Sequence, residues 1–180
     1  MLIFHVPAAI FCYVFFIACI AVNIGIRAGK NVSPAIAIAL CETGLLFAGI
    51  TILTGSIWGY HAWGAAWVWE PRLTGMFLMT LFFLSWRLAC AIAGPQITSK
   101  GQFTATLIIL GLPAMAFTHL AVRLFGGIHP ETMPASAATT PIWQWGLITL
   151  LYLAIAAALT SIRRKIIKNR LENDDVNDVF

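Results

Sequence analysis

Two histidines and a group of tryptophans are the residues of this chain best suited to binding a ligand. His5 lies close to the N-terminus, and His129 lies in "FGGIHPE". Between them, "WGYHAWGAAWVWEPR" carries four indole rings, Trp58, Trp63, Trp67 and Trp69. Imidazole is a good ligand for haem iron, and two imidazoles on opposite sides of a flat macrocycle need origins far apart in sequence. Indole rings would supply a flat apolar surface. The pattern predicts bis-histidine ligation of a haem.

Each of these residues also has an ordinary explanation. A lone histidine can sit at a membrane interface, and tryptophans anchor loops at headgroup depth. Trp63 and Trp67 are four residues apart and would share a face of a helical turn, whereas Trp69 would point elsewhere. His61 is interpreted as a residue at the membrane interface or as one that contacts a ligand-binding residue. His119 could hydrogen-bond the edge of a ligand or simply satisfy a neighbouring helix.

The composition indicates an integral membrane protein. Of the 180 residues, 60% are hydrophobic and 10% are charged, and the mean hydropathy is +0.87. A soluble domain carries about 25% charged residues. The formal charge of +4 is confined to short stretches and does not indicate nucleic-acid binding. The four cysteines lack any CxxC spacing, which argues against a zinc site, thiol exchange and covalent haem attachment.

Five apolar segments are long enough to cross a hydrocarbon core of about 30 Å as helices. They are Val6–Ile26, Ala35–Ile57, Leu73–Ala93, Phe103–Leu124 and Ile142–Ile162. Pro113 predicts a kink in the fourth. We expect an all-α integral membrane fold, a bundle of about five transmembrane helices with a Trp-rich outer loop at 58–72. Residues 1–162 would form the membrane domain, and residues 163–180 a charged cytoplasmic tail that attracts anionic membrane lipid.

The cations predict the orientation. Eight loop and tail cations fall on one side of these spans and two on the other. The richer side, which includes Arg27, Lys30 and Lys100, should face the cytoplasm. With five crossings, His5, the tryptophan-rich loop and His129 then all emerge on the outer face. Three unusual pieces of sequence are thereby expected to meet at one surface.

The remaining charged residues have two predicted roles. Glu42 and Arg87 lie at similar depths in the second and third spans, so we expect them to form a structural ion pair. Arg72 and Arg123 are the outward cations, and arginine pairs well with carboxylates. Arg72 is therefore expected to hold a haem propionate, with Arg123 the weaker partner. The alternative is that each arginine extends to the membrane interface.

The motif "TGSIWGYHAWGAAWVWEPRLTG" resembles the WWD-type signature of haem-handling proteins of cytochrome c maturation, and of the CcmC family in particular. "FHVPAAI" and "LPAMAFTHLAVRLFGGIH" resemble the two histidine segments of that family. The resemblance implies that His5 and His129 are axial ligands of haem b, and that the tryptophan loop contacts haem and a periplasmic chaperone, CcmE. It also implies the partners CcmA, CcmB and CcmD, and a multi-pass location in the bacterial inner membrane or its mitochondrial equivalent.

The chain departs from the family pattern at several positions. The family usually has six spans, and this chain begins at the equivalent of the second. Ala66 replaces the second tryptophan of the pair, Glu70 replaces the aspartate and remains a candidate haem contact, and Arg123 stands where an acidic residue is expected. These changes bear on the chaperone interface more than on the haem site.

The resemblance predicts a haem-binding and transfer protein more than a true enzyme. The alternatives are a haem lyase of the CcmF or CcsA type, acting directly on apocytochrome c, and a non-catalytic membrane transport subunit. A quinone or electron-transfer subunit is disfavoured, because its histidines would lie deep within spans.

Overall fold

The computed structural model describes residues 1–92, 102–129 and 139–177, and within these ranges the secondary structure is entirely helical. The described residues form six helices: α1 Leu2–Arg27, α2 Pro34–Trp63, α3 Pro71–Ile92, α4 Gln102–Ile109, α5 Gly111–Phe125 and α6 Ile142–Asn177. Helices α1, α2, α3 and α6 are long and apolar enough to span a membrane, and a shorter apolar segment, Thr106–Ala121, runs through α4 and α5. The predicted all-α membrane bundle is confirmed.

The predicted fourth span is broken into two helices. Helix α4 ends at Ile109 and α5 begins at Gly111, with the Leu110 amide bonded to the Leu107 carbonyl at 3.0 Å. Pro113 has no N–H to donate to the Ile109 carbonyl four residues earlier, so a regular helix cannot continue through this point. The expected kink at Pro113 is therefore a break that starts three residues before it.

The core lies between α1, α2 and α3. The rings of Phe16 and Phe83 stack with centroids 3.7 Å apart, and Gly44 makes room for Phe16. Helix α6 runs antiparallel to α2, and the Thr43 and Thr160 hydroxyls are 2.9 Å apart. Helix α3 packs closely on α5. This arrangement brings the start of α1, the end of α2, the start of α3 and the end of α5 to one end of the bundle, which we call the tryptophan end.

The predicted ion pair between Glu42 and Arg87 is confirmed, at 2.7 Å. The sequence did not predict that a second arginine also pairs with Glu42. Arg163 of α6 donates from Nε to Glu42 Oε2 at 2.6 Å and from a terminal nitrogen to Oε1 at 2.9 Å. One carboxylate thus joins α2, α3 and α6 at the end of the bundle opposite the tryptophans. These charges are partly buried, and two-sided pairing offsets the cost of removing them from water.

Several boundaries differ from the predicted ones. Helix α1 begins at Leu2, so His5 lies within its first turns, and α2 continues to Trp63, which makes Trp58 a helical residue. Helix α6 runs unbroken through the junction at 162 and 163 to Asn177. Lys100, which entered the charge comparison, lies outside the described residues.

Candidate functional site

A cavity of about 510 Å³ opens at the tryptophan end, between α1, α2, α3 and α5. This is within the range of about 300–1,000 Å³ typical of small-molecule sites. Seven of the predicted site residues line it: His5, Trp58, Trp63, Trp67, Arg72, His119 and His129. The parts of the chain expected to meet at one surface therefore do so. Much of the remaining lining is apolar, and most of these apolar side chains come from α1.

His5 is held in a defined orientation. Its Nδ1 atom lies 3.0 Å from the Thr51 carbonyl oxygen and 3.3 Å from the Thr54 hydroxyl. A carbonyl oxygen can only accept, so this hydrogen bond requires the proton on Nδ1 and leaves the lone pair on Nε2. A backbone carbonyl that fixes the tautomer in this way is a common support for metal-binding histidines.

Gly55 allows this close approach of His5 to α2. A Cβ atom at position 55 would lie 2.8 Å from Cε1 and 3.1 Å from Nδ1 of the imidazole. Real Cβ atoms do not tolerate such distances, so a larger residue at this position would displace the ring. The glycine is thus a requirement of the His5 geometry.

Trp58 lies between the other histidine and a second indole. Its ring is 6.2 Å from that of His129, and it meets Trp63 edge-on at 4.9 Å. Trp63 folds back over its own helix because Gly59 has no side chain there; a Cβ at this glycine would lie 2.8 Å from the indole. The last turns of α2 therefore supply two of the indole rings that line the cavity.

The other two tryptophans lie in the irregular connection. Gly64, with φ of +78°, ends α2 directly after Trp63, so Trp67 does not share a helix face with Trp63 although both line the cavity. Trp67, Trp69 and Phe77 form a cluster of edge-on contacts at 5.6–6.0 Å. Trp69 is 71% exposed and is not part of the cavity lining.

The two charged residues of the motif have different surroundings. Glu70 is buried outside the cavity lining, and its Oε1 accepts from the Leu73 amide at 2.7 Å, which caps the start of α3. Arg72 lines the cavity, and its guanidinium is within electrostatic reach of His5 and His119. Among the described residues, no carboxylate forms an ion pair with Arg72.

The remaining candidates are divided between the cavity and the surface. His119 lines the cavity, and its ring packs against that of Tyr13, with centroids 4.7 Å apart. Arg123 and His61 are exposed and are not part of the lining. His61 has an edge-on contact with Tyr60.

Three residues of this site were missed from the sequence: Tyr13, Thr51 and Gly55. Tyr13 lies two helical turns beyond His5, which was an available signal, since both would then line the inner side of α1. Thr51 and Gly55 lie within an apolar run where no pattern distinguishes them. Their roles follow only from the packing of α1 on α2.

The comparisons with known proteins agree on one family. A family profile described as heme exporter protein C (CcmC) matches residues 1–177. Heme exporter protein C of Escherichia coli K12 is 26% identical over 168 residues, which cover 91% of this chain and 68% of that protein. The proteins of the same name from Paracoccus denitrificans and Rhodobacter capsulatus are 30% and 31% identical over 128 residues, each covering 69% of this chain and 52% of the relative. The resemblance found in the sequence is confirmed, and the chain belongs to the CcmC family of heme exporter proteins.

Proposed function

We propose that this protein binds haem b at the tryptophan end through His5 and His129, and presents it to a CcmE-type haem chaperone during cytochrome c maturation. The observation that carries the proposal is that both histidines line one cavity, with the Nδ1 proton of His5 committed to the Thr51 carbonyl. That bond leaves Nε2 as the atom that binds iron. Membership of the heme exporter family supports the identity of the ligand.

The other cavity residues fit a haem by their chemistry. Trp58, Trp63 and Trp67 would contact the macrocycle, and Arg72 would pair with a propionate. Trp69, largely exposed beside the cavity, is suited to contact the chaperone. The bound iron supplies the redox chemistry of the cargo, while the protein residues bind it, orient it and limit access of water.

The family and the distribution of charge support a cellular setting for this function. The names of the relatives support an assembly with CcmA, CcmB and CcmD in the inner membrane. The cation distribution supports a site that faces the periplasm, since Arg164 and Lys165 lie at the opposite end of the bundle. The exposed cations of α6 would contact anionic lipid.

The test is spectroscopic. Protein purified after haem-replete expression should show a Soret band and the visible bands of six-coordinate haem. The periplasmic domain of a CcmE-type chaperone should associate with it in a haem-dependent manner. Absence of a Soret band would refute haem binding. Capture of a CxxCH peptide in place of the chaperone would instead favour the lyase alternative.

A substitution at Gly55 tests the positioning of His5. Gly55→Ala should lower haem affinity by about tenfold, because the added Cβ displaces the imidazole of His5 from the Thr51 carbonyl. Loss of a residue that supports a metal ligand typically lowers affinity by about 10–100-fold, and we expect the lower end of that range. Haem titration followed in the Soret region measures this.

Gly49→Ala is the matched control for that variant. Gly49 lies on the same helix, and a Cβ added there would meet no neighbouring side chain or helix within 4 Å, so its replacement should leave haem affinity unchanged. The gain in helix propensity from glycine to alanine, about 0.5–1 kcal/mol, is common to both variants. Equal haem affinities for the two variants would contradict the role assigned to Gly55.

A further inference from the structure

The cavity contains hydrogen-bond donors that have no acceptor. Among the described residues, four buried side-chain atoms lack a partner: the Tyr13 hydroxyl, the indole nitrogens of Trp63 and Trp67, and Glu70 Oε2. The first three belong to residues that line the cavity. Buried polar groups are nearly always paired in folded proteins. A ligand that brings acceptor atoms would resolve this imbalance.

The Tyr13 hydroxyl is the most informative of these donors. The Thr118 hydroxyl is close to it and donates to the Ala114 carbonyl at 2.9 Å, but the Tyr13 hydroxyl has no partner at hydrogen-bonding geometry. By contrast, the nitrogen edge of Trp63 lies over Gly59 of its own helix, so its N–H is less suited to reach a ligand.

Arg72 lines the same cavity as this hydroxyl and supplies a positive charge there. Its guanidinium is within electrostatic reach of Tyr13. Glu70, two residues earlier, does not pair with it; one Glu70 oxygen caps α3 and the other is without a partner. The cavity thus presents a neutral donor and a cationic donor together, and no carboxylate of the described residues neutralises the cation.

We propose that the Tyr13 hydroxyl and the Arg72 guanidinium together bind one carboxylate of the ligand, so that the cavity recognises a porphyrin as its free acid. The inference rests on the proposed function, in which the carboxylate is a haem propionate. Arginine provides the charge, and the tyrosine adds a directional donor whose hydrogen bond to an ionised carboxylate is stronger than its hydrogen bond to an ester carbonyl. Tyr13 is then a specificity-determining residue supplied by α1, the helix that also carries His5.

The test compares hemin with hemin dimethyl ester, which keeps the iron and the macrocycle but lacks both ionised groups. Each is titrated into the purified protein in detergent and followed in the Soret region. Wild type should bind hemin at least tenfold more tightly than the ester. Tyr13→Phe should weaken hemin binding by about tenfold, the value of one charge-assisted hydrogen bond, and change ester binding by less than about twofold.

Tyr60→Phe is the matched control, because Tyr60 is 61% exposed and is not part of the cavity lining. It should alter neither titration. Tyr13→Phe removes only an oxygen that has no partner, so it should fold as wild type does. If Tyr13→Phe weakens the binding of hemin and of the ester equally, or weakens the binding of neither, the inference is overturned, but the proposal that the protein binds haem stands. A wild type that binds neither porphyrin overturns the proposed function, and this inference with it.

Discussion

Replacing either His5 or His129 by alanine should remove the six-coordinate haem spectrum and lower haem affinity by more than about tenfold. In the proposed site each histidine would supply one of two axial bonds, and loss of a direct ligand should cost at least the roughly tenfold minimum for losing a supporting residue. The measurements are the haem content of the purified protein and its absorption spectrum. Added imidazole should restore the six-coordinate bands in both variants, because it can occupy the space that the side chain leaves.

His61→Ala and His119→Ala are the controls. His61 is exposed outside the cavity, so its removal should have no effect. His119 lines the cavity and packs on Tyr13, so its removal should reduce affinity without abolishing the six-coordinate spectrum. If His119→Ala abolishes that spectrum and His129→Ala does not, the assignment of the second ligand is wrong.

Glu42→Leu should destabilise the fold by about 1–3 kcal/mol, because it leaves Arg87 and Arg163 without their shared carboxylate in a partly buried position. Thermal unfolding in detergent measures the change. The triple replacement of Glu42, Arg87 and Arg163 by leucine should recover most of the loss, since no unpaired charge remains. Exchanging Glu42 and Arg87 should not recover the lost stability, because Arg163 would then face an arginine at position 42.

The pair of Lys168 and Glu172 provides the comparison for Glu42→Leu. Both side chains are more than half exposed, and the ion pair between them is 3.5 Å long. Exposed pairs one helical turn apart contribute about 0.3–0.5 kcal/mol. Glu172→Leu should therefore shift the unfolding temperature little. If Glu172→Leu shifts the unfolding temperature as much as Glu42→Leu does, the ion pairs of Glu42 with Arg87 and Arg163 contribute no more to stability than an exposed pair.

The fold was largely predictable because a membrane requires long apolar helices. Four predicted spans correspond to α1, α2, α3 and α6, and Pro113 indicated that the fourth would be irregular. The end of α2 was placed too early, since Trp58 and Tyr60 were read as loop residues. Aromatic residues suit a helix end at a membrane surface as well as a loop, so composition alone could not separate the two.

The site was predictable where distinctive residue types carry it. His5, His129 and the tryptophans are rare enough to be noticed, and span parity brought them together. Arg163 was missed as a partner of Glu42 because it lies 121 residues away and was counted only as a tail cation. Gly55 and Tyr13 were missed because their importance lies in distances between helices, which the one-dimensional pattern does not contain.

The described residues do not wall the cavity on every side. Ile10, Val14 and Ile17 line it from α1, yet each is more than half exposed, at 57%, 54% and 53%. In a bilayer these side chains would touch acyl chains, so the hydrocarbon would form part of the boundary of the cavity. The lipid or detergent around the protein would therefore form part of the boundary of the cavity, and exchanging lipid for detergent would change the composition of that boundary.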